Sequence, residues 1–512
     1  MNWLTISGTA VLLSALMLNA TAQHDHDGHD GHVDAQALGT VNFGAGCDDD
    51  AAKRFNQALA LKHHMMYQQA RANFRDLSEQ APNCAMAHWG VAATYFQPLW
   101  PERPDEQALK QGRNHIAQAQ EAGATDAREQ ALIDAVGAFF DERHTAYSDR
   151  LEAWAQGMAD AYEAHPADLD IAALYSLSLL ALAMAADSDK RDQLHNRAEA
   201  ILTEVWEVED QHPGAIHYAI HATDVDGRAE NALPMVEAYS GIAPAVPHAL
   251  HMPSHIYVRL GDWDQVIDWN RRSADAAREH DVNGAVSFHY IHAIDYMVYG
   301  HLQRGEVDQA IAAKNEAMSV DRHQSGFVTA YHAAAMPARI AVEQRDWSAA
   351  RELSNQEPDY LAWEDYHWPA GMTWYARGLG AVHSGDLQLA REAETKLATL
   401  RDQARDSGEE RHATYIEVDR KILSGWIQHA EGNDDAAVDA LRAAAELEST
   451  VEKDPVTPGA LLPPKEALGD LLLVLDRPDD ALAAYEASEK IWPNRYNTRR
   501  GMERANTRLT QR

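Results

Sequence analysis

The chain has 512 residues, and its 79 acidic and 44 basic side chains leave a formal net charge of −35 at pH 7. A surface this rich in carboxylates repels phosphate backbones and anionic lipids, which argues against nucleic acid or a membrane surface as the partner. A chain of this length also exceeds one ordinary hydrophobic core, so it must form several domains or an array of repeats.

Residues 1–22 have the pattern of an export signal peptide. An apolar stretch from Val11 to Leu18 precedes Ala20-Thr21-Ala22, a small-x-small sequence of the kind that signal peptidases cleave. The apolar stretch is much shorter than the roughly 20 residues that cross a bilayer. The sequence therefore predicts an exported protein, periplasmic or secreted, without membrane insertion after the signal is removed.

Residues 23–45 are predicted to form a disordered tail rich in His and Asp. His24, His26, His29 and His32 alternate with Asp or Gly, and this stretch contains little that a core could bury. Such a composition favours weak capture of transition-metal ions. A solvated acidic tail without a ligand is the alternative.

The two cysteines of the chain, Cys47 and Cys84, are predicted to form a disulfide. Export would place them where disulfides persist, and they flank the first predicted helix pair, so both would lie at the same end of that hairpin. A thiolate metal site is the weaker alternative because their spacing is not that of a CxxC pair.

From about Asp49 onward the pattern is helical and repetitive. Near the C-terminus, the order of large, small and aromatic residues fits the 34-residue tetratricopeptide pattern, in which small residues allow two helices to approach closely. The residues that fit are Leu468, Gly469, Leu472, Ala481, Tyr485 and Pro493. Similar turns recur upstream at Leu260-Gly261-Asp262-Trp263, Arg304-Gly305-Glu306-Val307, Arg345-Asp346-Trp347, Ser384-Gly385-Asp386-Leu387 and Glu431-Gly432-Asn433-Asp434.

These turns predict an all-α solenoid of helix-turn-helix repeats that are longer than the ideal. The predicted parts are N-terminal repeats over 46–100, an irregular helical segment over 101–210, His-rich central repeats over 211–440, a Pro-containing loop over 441–465 and a C-terminal repeat over 466–512.

Three segments resemble those of exported bacterial tetratricopeptide-repeat proteins. The resemblance spans roughly residues 45–500, and it implies a right-handed superhelix whose concave groove binds a peptide or a partner protein. The segments are Cys84-Ala85-Met86-Ala87-His88-Trp89-Gly90, Gly214-Ala215-Ile216-His217-Tyr218-Ala219-Ile220-His221 and His248-Ala249-Leu250-His251-Met252-Pro253-Ser254-His255.

Histidines recur in the central repeats at the spacing of a helix face. Residues three or four apart lie on one side of a helix, so His217 and His221 share a face. Counted against the repeat pattern, the groove is also lined by His248, His251, His255, Arg259, His292, Asp295, His332 and Arg339. Pro253 interrupts this stretch, and we expect the helix to begin at Pro247. A start at Pro253 would instead leave His248 and His251 on a loop at the rim of the groove.

Such a strip of imidazoles could form a metal site, a proton-responsive surface or an anion cradle. We favour a metal site of His217, His221, His248, His251, His255, His292 and Asp295 that holds about one zinc or copper ion per chain. Asp224 or Asp295 could be a ligand of this ion or could orient a ligand. The alternative is structural, with these histidines hydrogen-bonded to Tyr218, Tyr257, Tyr290 or the backbone. The pair His63-His64 is interpreted as facing outward while Met65 and Met66 pack inward, and imidazole and thioether ligands for copper are the alternative.

The function favoured by these patterns is that of an exported binding or scaffold protein with a metal in a His-lined groove. HxxxH is moderately specific and lacks the Glu of HExxH hydrolases, and no GxSxG elbow or glycine-rich phosphate loop is present. A metal-dependent enzyme that uses the same residues and a metal-free interaction module remain the alternatives.

Overall fold

The computed structural model describes residues 38–100, 103–354 and 357–511, which belong to one compact unit. The predicted signal peptide, residues 1–22, lies outside the described residues. So do His24, His26, His29 and His32 of the predicted tail.

The described chain is almost entirely helical, which confirms the predicted all-α class. The first part contains α1 (Asp49–His63), α2 (Tyr67–Gln80), α3 (Ala85–Ala93), α4 (Glu106–Ala122), α5 (Ala127–Phe140), α6 (Tyr147–Ala164), α7 (Leu169–Ala183) and α8 (Ser188–Val208). The central part contains α9 (Pro213–Thr223), α10 (Leu233–Ile242), α11 (Pro247–His251), α12 (Pro253–Leu260), α13 (Trp263–Ala277), α14 (Phe288–Gln303), α15 (Val307–Met318) and α16 (Phe327–Glu343).

The last part contains α17 (Trp347–Arg351), α18 (His367–His383), α19 (Leu387–Asp406), α20 (Glu410–Ala430), α21 (Asp434–Glu448), α22 (Pro464–Val474), α23 (Pro478–Glu489) and α24 (Tyr496–Thr510). Two short antiparallel strands, β1 (Asp281–Val282) and β2 (Ala285–Val286), lie between α13 and α14. Single 3-10 turns span Ala229–Ala232 and Trp363–Asp365.

Consecutive helices pack as antiparallel hairpins around small residues. A Cβ added at Gly469 of α22 would lie 2.7 Å from the Tyr485 ring of α23, and one at Gly90 of α3 would lie 2.3 Å from the Phe74 ring of α2. The aromatic ring of one helix therefore occupies the space that a side chain would need on the next. This packing explains the small-then-aromatic pattern of the repeats.

The segment 101–210 was expected to be helical without a regular repeat pattern, and it contains the helices α4 to α8, which pack in sequence because apolar side chains such as Ile133 and Leu177 fill the space between them. The end of the predicted tail was wrong. The predicted disordered tail extended to residue 45, yet Leu38 and Phe43 are buried. Their apolar side chains hold residues 38–45 against the helices.

Cys47 and Cys84 are joined by a disulfide, with their Cα atoms 5.3 Å apart. Cys47 precedes α1, and Cys84 immediately precedes α3. The bond thus closes the N-terminal hairpin of α1 and α2. Among the described residues, no helix combines the length and the apolar character needed to cross a bilayer.

The central helix begins at Pro247, as expected, but Pro253 divides it into α11 and α12. Met252 keeps helical angles between the two parts, with φ −53° and ψ −40°. Pro253 has no N–H to donate, which accounts for the break. The histidines on both sides of the break remain helical.

Replacement of Gly469 by Ala tests the hairpin packing. The new Cβ would collide with the Tyr485 ring, and we expect the free energy of unfolding to fall by about 1–3 kcal/mol. Gly137→Ala in α5 is the matched control, because its Cβ would meet only Ile116 at 3.4 Å, an ordinary contact. Urea unfolding followed by circular dichroism measures both, and an unchanged midpoint for Gly469→Ala would contradict this packing.

Candidate metal centre

The six histidines predicted as metal ligands meet in the interior of the protein. They form two groups of three, and within each group one nitrogen from each ring lies within 4.8 Å of the others. We call them the 251 trio, which is His251 from α11, His255 from α12 and His292 from α14, and the 217 trio, which is His217 and His221 from α9 and His248 from α11.

Hydrogen bonds orient the first two rings of the 251 trio. His251 Nδ1 lies 2.7 Å from Asn270 Oδ1, and His255 Nδ1 lies 2.9 Å from Asp224 Oδ2. The Asn270 amide nitrogen donates to the Val266 carbonyl, which sets the amide orientation. Because both partners of the rings are acceptors, each Nδ1 must carry the proton, and each Nε2 presents a lone pair.

A chain of hydrogen bonds orients the third ring in the same way. His332 Nδ1 donates to Asp295 Oδ2 at 2.9 Å, so His332 Nε2 is an acceptor. His292 Nδ1 donates to that nitrogen at 2.7 Å. His292 Nε2 therefore also presents a lone pair, and all three rings of the 251 trio have the tautomer that ligates a metal through Nε2.

The 217 trio is held by fewer hydrogen bonds. His217 Nδ1 donates to the His63 carbonyl at 2.7 Å, which leaves its Nε2 without a partner among the described residues. His221 Nε2 has none in the described chain, and neither nitrogen of His248 is hydrogen-bonded there. Three buried nitrogens that share one region are thus available to a ligand.

The two trios adjoin each other. The ring centroids of His221 and His255 are 6.1 Å apart, as are those of His248 and His251. Since His248 and His251 lie three residues apart on α11, that helix presents one ring to each trio. The arrangement is a continuous cluster of imidazoles rather than two distant sites.

Asp224 supports the 251 trio from behind. Besides His255, it accepts hydrogen bonds from Arg259 Nε at 2.8 Å and from Lys453 Nζ at 3.0 Å. Burial alone would raise the pKa of Asp224, but Lys453 and Arg259 outweigh that effect and hold it well below the usual range. The carboxylate is therefore ionised and neutralised by two cations.

Asp295 has an equivalent environment beneath His332. Its Oδ1 accepts from Arg339 Nε at 3.1 Å, and the Arg339 guanidinium also donates to the Gly459 carbonyl at 2.7 Å and to Thr457 Oγ1 at 2.9 Å. Arg339 is only 1% exposed. A buried arginine with this many acceptors is a rigid support for the carboxylate.

Residues 453–459, within the predicted Pro-containing loop, lie over the histidines. Lys453 reaches Asp224, Thr457 and Gly459 reach Arg339, and the Pro455 carbonyl accepts from the Tyr296 hydroxyl at 3.0 Å. The Tyr296 ring packs on the 251 trio, with its centroid 4.5 Å from that of His251. The loop thus closes this face of the helical array.

The structure decides the role left open for Asp295. Both of its oxygens are bonded to His332 and Arg339, so it orients a ligand instead of being one. Arg259, His332 and Arg339 were expected to line the groove, and their side chains are buried. The sequence pattern could not reveal that the chain's own loop fills the groove at this point.

Burial lowers the pKa of the clustered histidines. For His221 and His289 it falls to about 3. For four others the pKa lies well below the usual value because burial and neighbouring imidazoles both disfavour a positive charge; these are His217, His248, His251 and His292. The rings are neutral at pH 7, the state that binds a metal.

Sequence reasoning missed a third group of buried polar residues. His63 Nε2 lies 3.0 Å from Asp170 Oδ1, and His212 Nε2 lies 3.3 Å from the same oxygen. His212 Nδ1 accepts from the Ala215 N–H at the start of α9, so its Nε2 carries the proton and faces Asp170. Together with Asp170 the two rings form a third group whose possible ligand atoms lie within 4.8 Å of one another, and it differs from the trios in that one of its three members is a carboxylate.

The outward orientation assigned to His63-His64 was wrong, since both side chains are fully buried. His64 bonds to the Tyr239 hydroxyl at 3.0 Å and to the Leu38 carbonyl at 3.1 Å. His289 was also left out of the predicted ligands. Its ring centroid lies 5.2 Å from that of His248, and its position three residues before His292 on α14 was the available signal.

No protein-family model matches the chain, and neither does any curated protein. Solved structures similar to it include the APC/C hetero-tetramer Cut9-Hcn1 (13% identity, 89% of this chain and 90% of that chain, TM-score 0.32), the human IFIT1 dimer with PPP-AAAA (11%, 90% and 90%, TM-score 0.38) and yeast Tom70 (11%, 91% and 90%, TM-score 0.33). Likeness at this level implies nothing about ligands or partners of this chain.

Asp224→Asn tests the support of the 251 trio. It leaves Lys453 buried without its anion and removes the buried carboxylate from Arg259, and we expect a loss of about 3–5 kcal/mol in the free energy of unfolding. Asp226→Asn is the control, because Asp226 also pairs with Arg259 but has a side chain 56% exposed, so about 1 kcal/mol or less is expected. Equal losses in urea unfolding would argue against a special role for Asp224.

The metal-free protein should lose stability in mild acid. Burial sets the pKa of His63 to about 4 and of His64 to about 3. Below the unfolded value of about 6.5, the unfolded chain takes up protons that the folded chain excludes. Each such histidine removes about 1 kcal/mol over the first pH unit below that value.

Thermal melting of chelator-treated protein at about pH 7.5 and about pH 5.5 measures this effect. We expect the midpoint to fall at the lower pH, and to stay nearly constant between about pH 7.5 and 8, where these histidines are neutral in both states. A midpoint that is unchanged or higher at pH 5.5 would contradict the burial of neutral imidazoles.

Proposed function

We propose that this protein binds transition-metal ions, zinc or copper, through the 251 trio and the adjoining 217 trio. The helical repeats act as the scaffold that brings ligands from four helices together. The export signal suggested by residues 1–22 would place this metal-binding protein in the cell envelope.

One contact carries the proposal. His251 Nε2 and His255 Nε2 lie 2.9 Å apart, although the hydrogen bonds at each Nδ1 make both of these nitrogens acceptors. Two lone pairs directed at each other in a buried site are unfavourable unless a proton or a cation lies between them. A metal ion bound also by His292 would resolve this conflict.

The structural alternative accounts poorly for the trios. It assigned the histidines to tyrosine hydroxyls or to the backbone. The Tyr218 hydroxyl bonds to His63 and the Tyr290 hydroxyl donates to Glu316, whereas His217 does bond to a backbone carbonyl through Nδ1. His217, His221 and His248 keep unpartnered nitrogens in the described chain. A core that needed these histidines only for packing would do better with apolar residues of similar size.

The ligand set favours zinc or copper over the hard cations. Each trio offers neutral imidazole nitrogens, whereas magnesium and calcium prefer oxygen ligands. Each ring of the 251 trio also has a hydrogen-bond partner at Nδ1, which is the usual arrangement of metal-ligating histidines.

The closed position of the trios favours binding over catalysis. Residues 453–459 cover one face, and the rings of the 251 trio are at most 4% exposed. His221 is the partly exposed member, which makes its side the route by which an ion would enter. A protein partner, if the scaffold has one, would dock elsewhere, because the loop already occupies the groove beside these histidines.

Elemental analysis of the full chain tests the proposal. His24, His26, His29 and His32 are replaced by Asn in all samples so that the tail does not contribute. We expect metal in this background and loss of the ion from the 251 trio when His251, His255 and His292 are changed to Asn. No metal after reconstitution with zinc and with copper would refute the proposal.

His248→Leu separates a ligand from a structural residue. Because neither ring nitrogen has a hydrogen-bond partner in the described structure, removal of the imidazole should leave the metal-free protein as stable as before or more stable by about 1–3 kcal/mol, while the metal content falls.

His323→Leu is the matched control. His323 is buried outside the trios, and its Nε2 bonds to the Ala317 carbonyl at 2.9 Å. This variant should lose stability and keep its metal. If His248→Leu also destabilised the metal-free protein and left metal binding intact, His248 would be a structural residue.

A further inference from the structure

We infer that the two trios hold a pair of cuprous ions, one in each trio, in preference to a pair of divalent ions such as zinc. The inference rests on the proposed function and deepens it by naming the ion and its oxidation state.

The two trios lie next to each other. His248 and His251, which belong to different trios, have stacked rings with centroids 6.1 Å apart. His221 and His255 link the trios a second time at 6.1 Å. Two ions bound here would repel each other across a dry interior, and by Coulomb's law two divalent ions repel about four times as strongly as two monovalent ions at the same distance.

The surroundings of the two trios provide no surplus of negative charge. All six ligands are neutral imidazoles, so the trios themselves supply no negative charge. The carboxylates behind them do not supply a surplus either. Asp224 and its neighbours Asp226 and Glu452 are paired with Arg259, Lys453 and Arg191. Asp295 is paired with Arg339. A buried pair of +2 ions would therefore lack compensation, whereas a pair of +1 ions needs much less.

Each trio offers an ion three histidine ligands. Zinc in proteins takes four ligands, and three histidines leave one position to be filled. The Tyr296 hydroxyl does not fill it beside the 251 trio, because it donates to the Pro455 carbonyl at 3.0 Å. The face that Tyr296 turns toward His251 is its aromatic ring. Three nitrogens beneath an apolar ring suit cuprous ion, whose single charge is satisfied by three ligands, whereas zinc, with the same filled d shell and twice the charge, takes four.

The test is an anaerobic titration of the full-length chain, with the four tail histidines replaced by Asn. Cuprous ion is supplied from its bicinchoninate complex, and zinc is titrated separately against a colorimetric zinc chelator. We expect two copper ions per chain, no electron paramagnetic resonance signal, and an X-ray absorption edge of three-coordinate cuprous copper. Zinc should fill no more than one of the trios.

Variants locate the ions. His248→Leu is expected to lose one of the two copper ions, and the triple replacement of His251, His255 and His292 by Asn to lose the other. His323→Leu should keep both. If the triple variant fails to fold, as judged by circular dichroism, His248→Leu still tests the site, because removal of its unpartnered ring breaks no hydrogen bond in the described structure.

The outcomes separate the two proposals. Two tightly bound zinc ions per chain, or a single copper ion, would overturn the cuprous pair and leave metal binding in place. Neither metal bound at the trios would overturn both. Two copper ions with His248→Leu reduced to one would support the pair.

Discussion

Burial of a carboxylate is costly unless cations and hydrogen bonds compensate it, and the centre of this protein depends on two carboxylates that are compensated. Asp224 and Asp295 each hold an imidazole on one side and an arginine on the other. They thereby set the tautomers of two rings of the 251 trio, His255 directly and His292 through His332. They also bind the loop, since Lys453 contacts Asp224 directly and Thr457 contacts the arginine paired with Asp295.

The same interactions connect fold and site. Three helices contribute histidines to the 251 trio. The orientation of each ring is set by a hydrogen-bond partner from another element, such as Asn270 of α13 for His251. If the loop moved away from this face, Asp224 and Arg339 would each lose a hydrogen-bond partner. We therefore expect the metal-free site to stay closed, with the repulsion between His251 Nε2 and His255 Nε2 as the cost of that closure.

Much of the site could be predicted because the relevant interactions are local. His217 and His221 lie four residues apart on one helix, and His248 and His251 lie three apart on the next, so helical periodicity alone placed each pair on a common face. The repeat pattern around Gly469 and Tyr485 is likewise a contact between neighbouring helices. The division into two trios could not be predicted, because it depends on the rotation of α11 relative to α9 and α14.

The amino-acid sequence by itself determined the helical class, the hairpin repeats and the common helix faces of the six histidines of the trios, because these follow from short-range spacing and from contacts between successive helices. Only the tertiary structure decided that Asp295 supports a ligand instead of being one, that His63 and His64 are buried and that residues 453–459 fill the groove. The physical reason is separation along the chain: Lys453 and Asp224 are 229 positions apart, and no local pattern encodes which distant charges will neutralise each other.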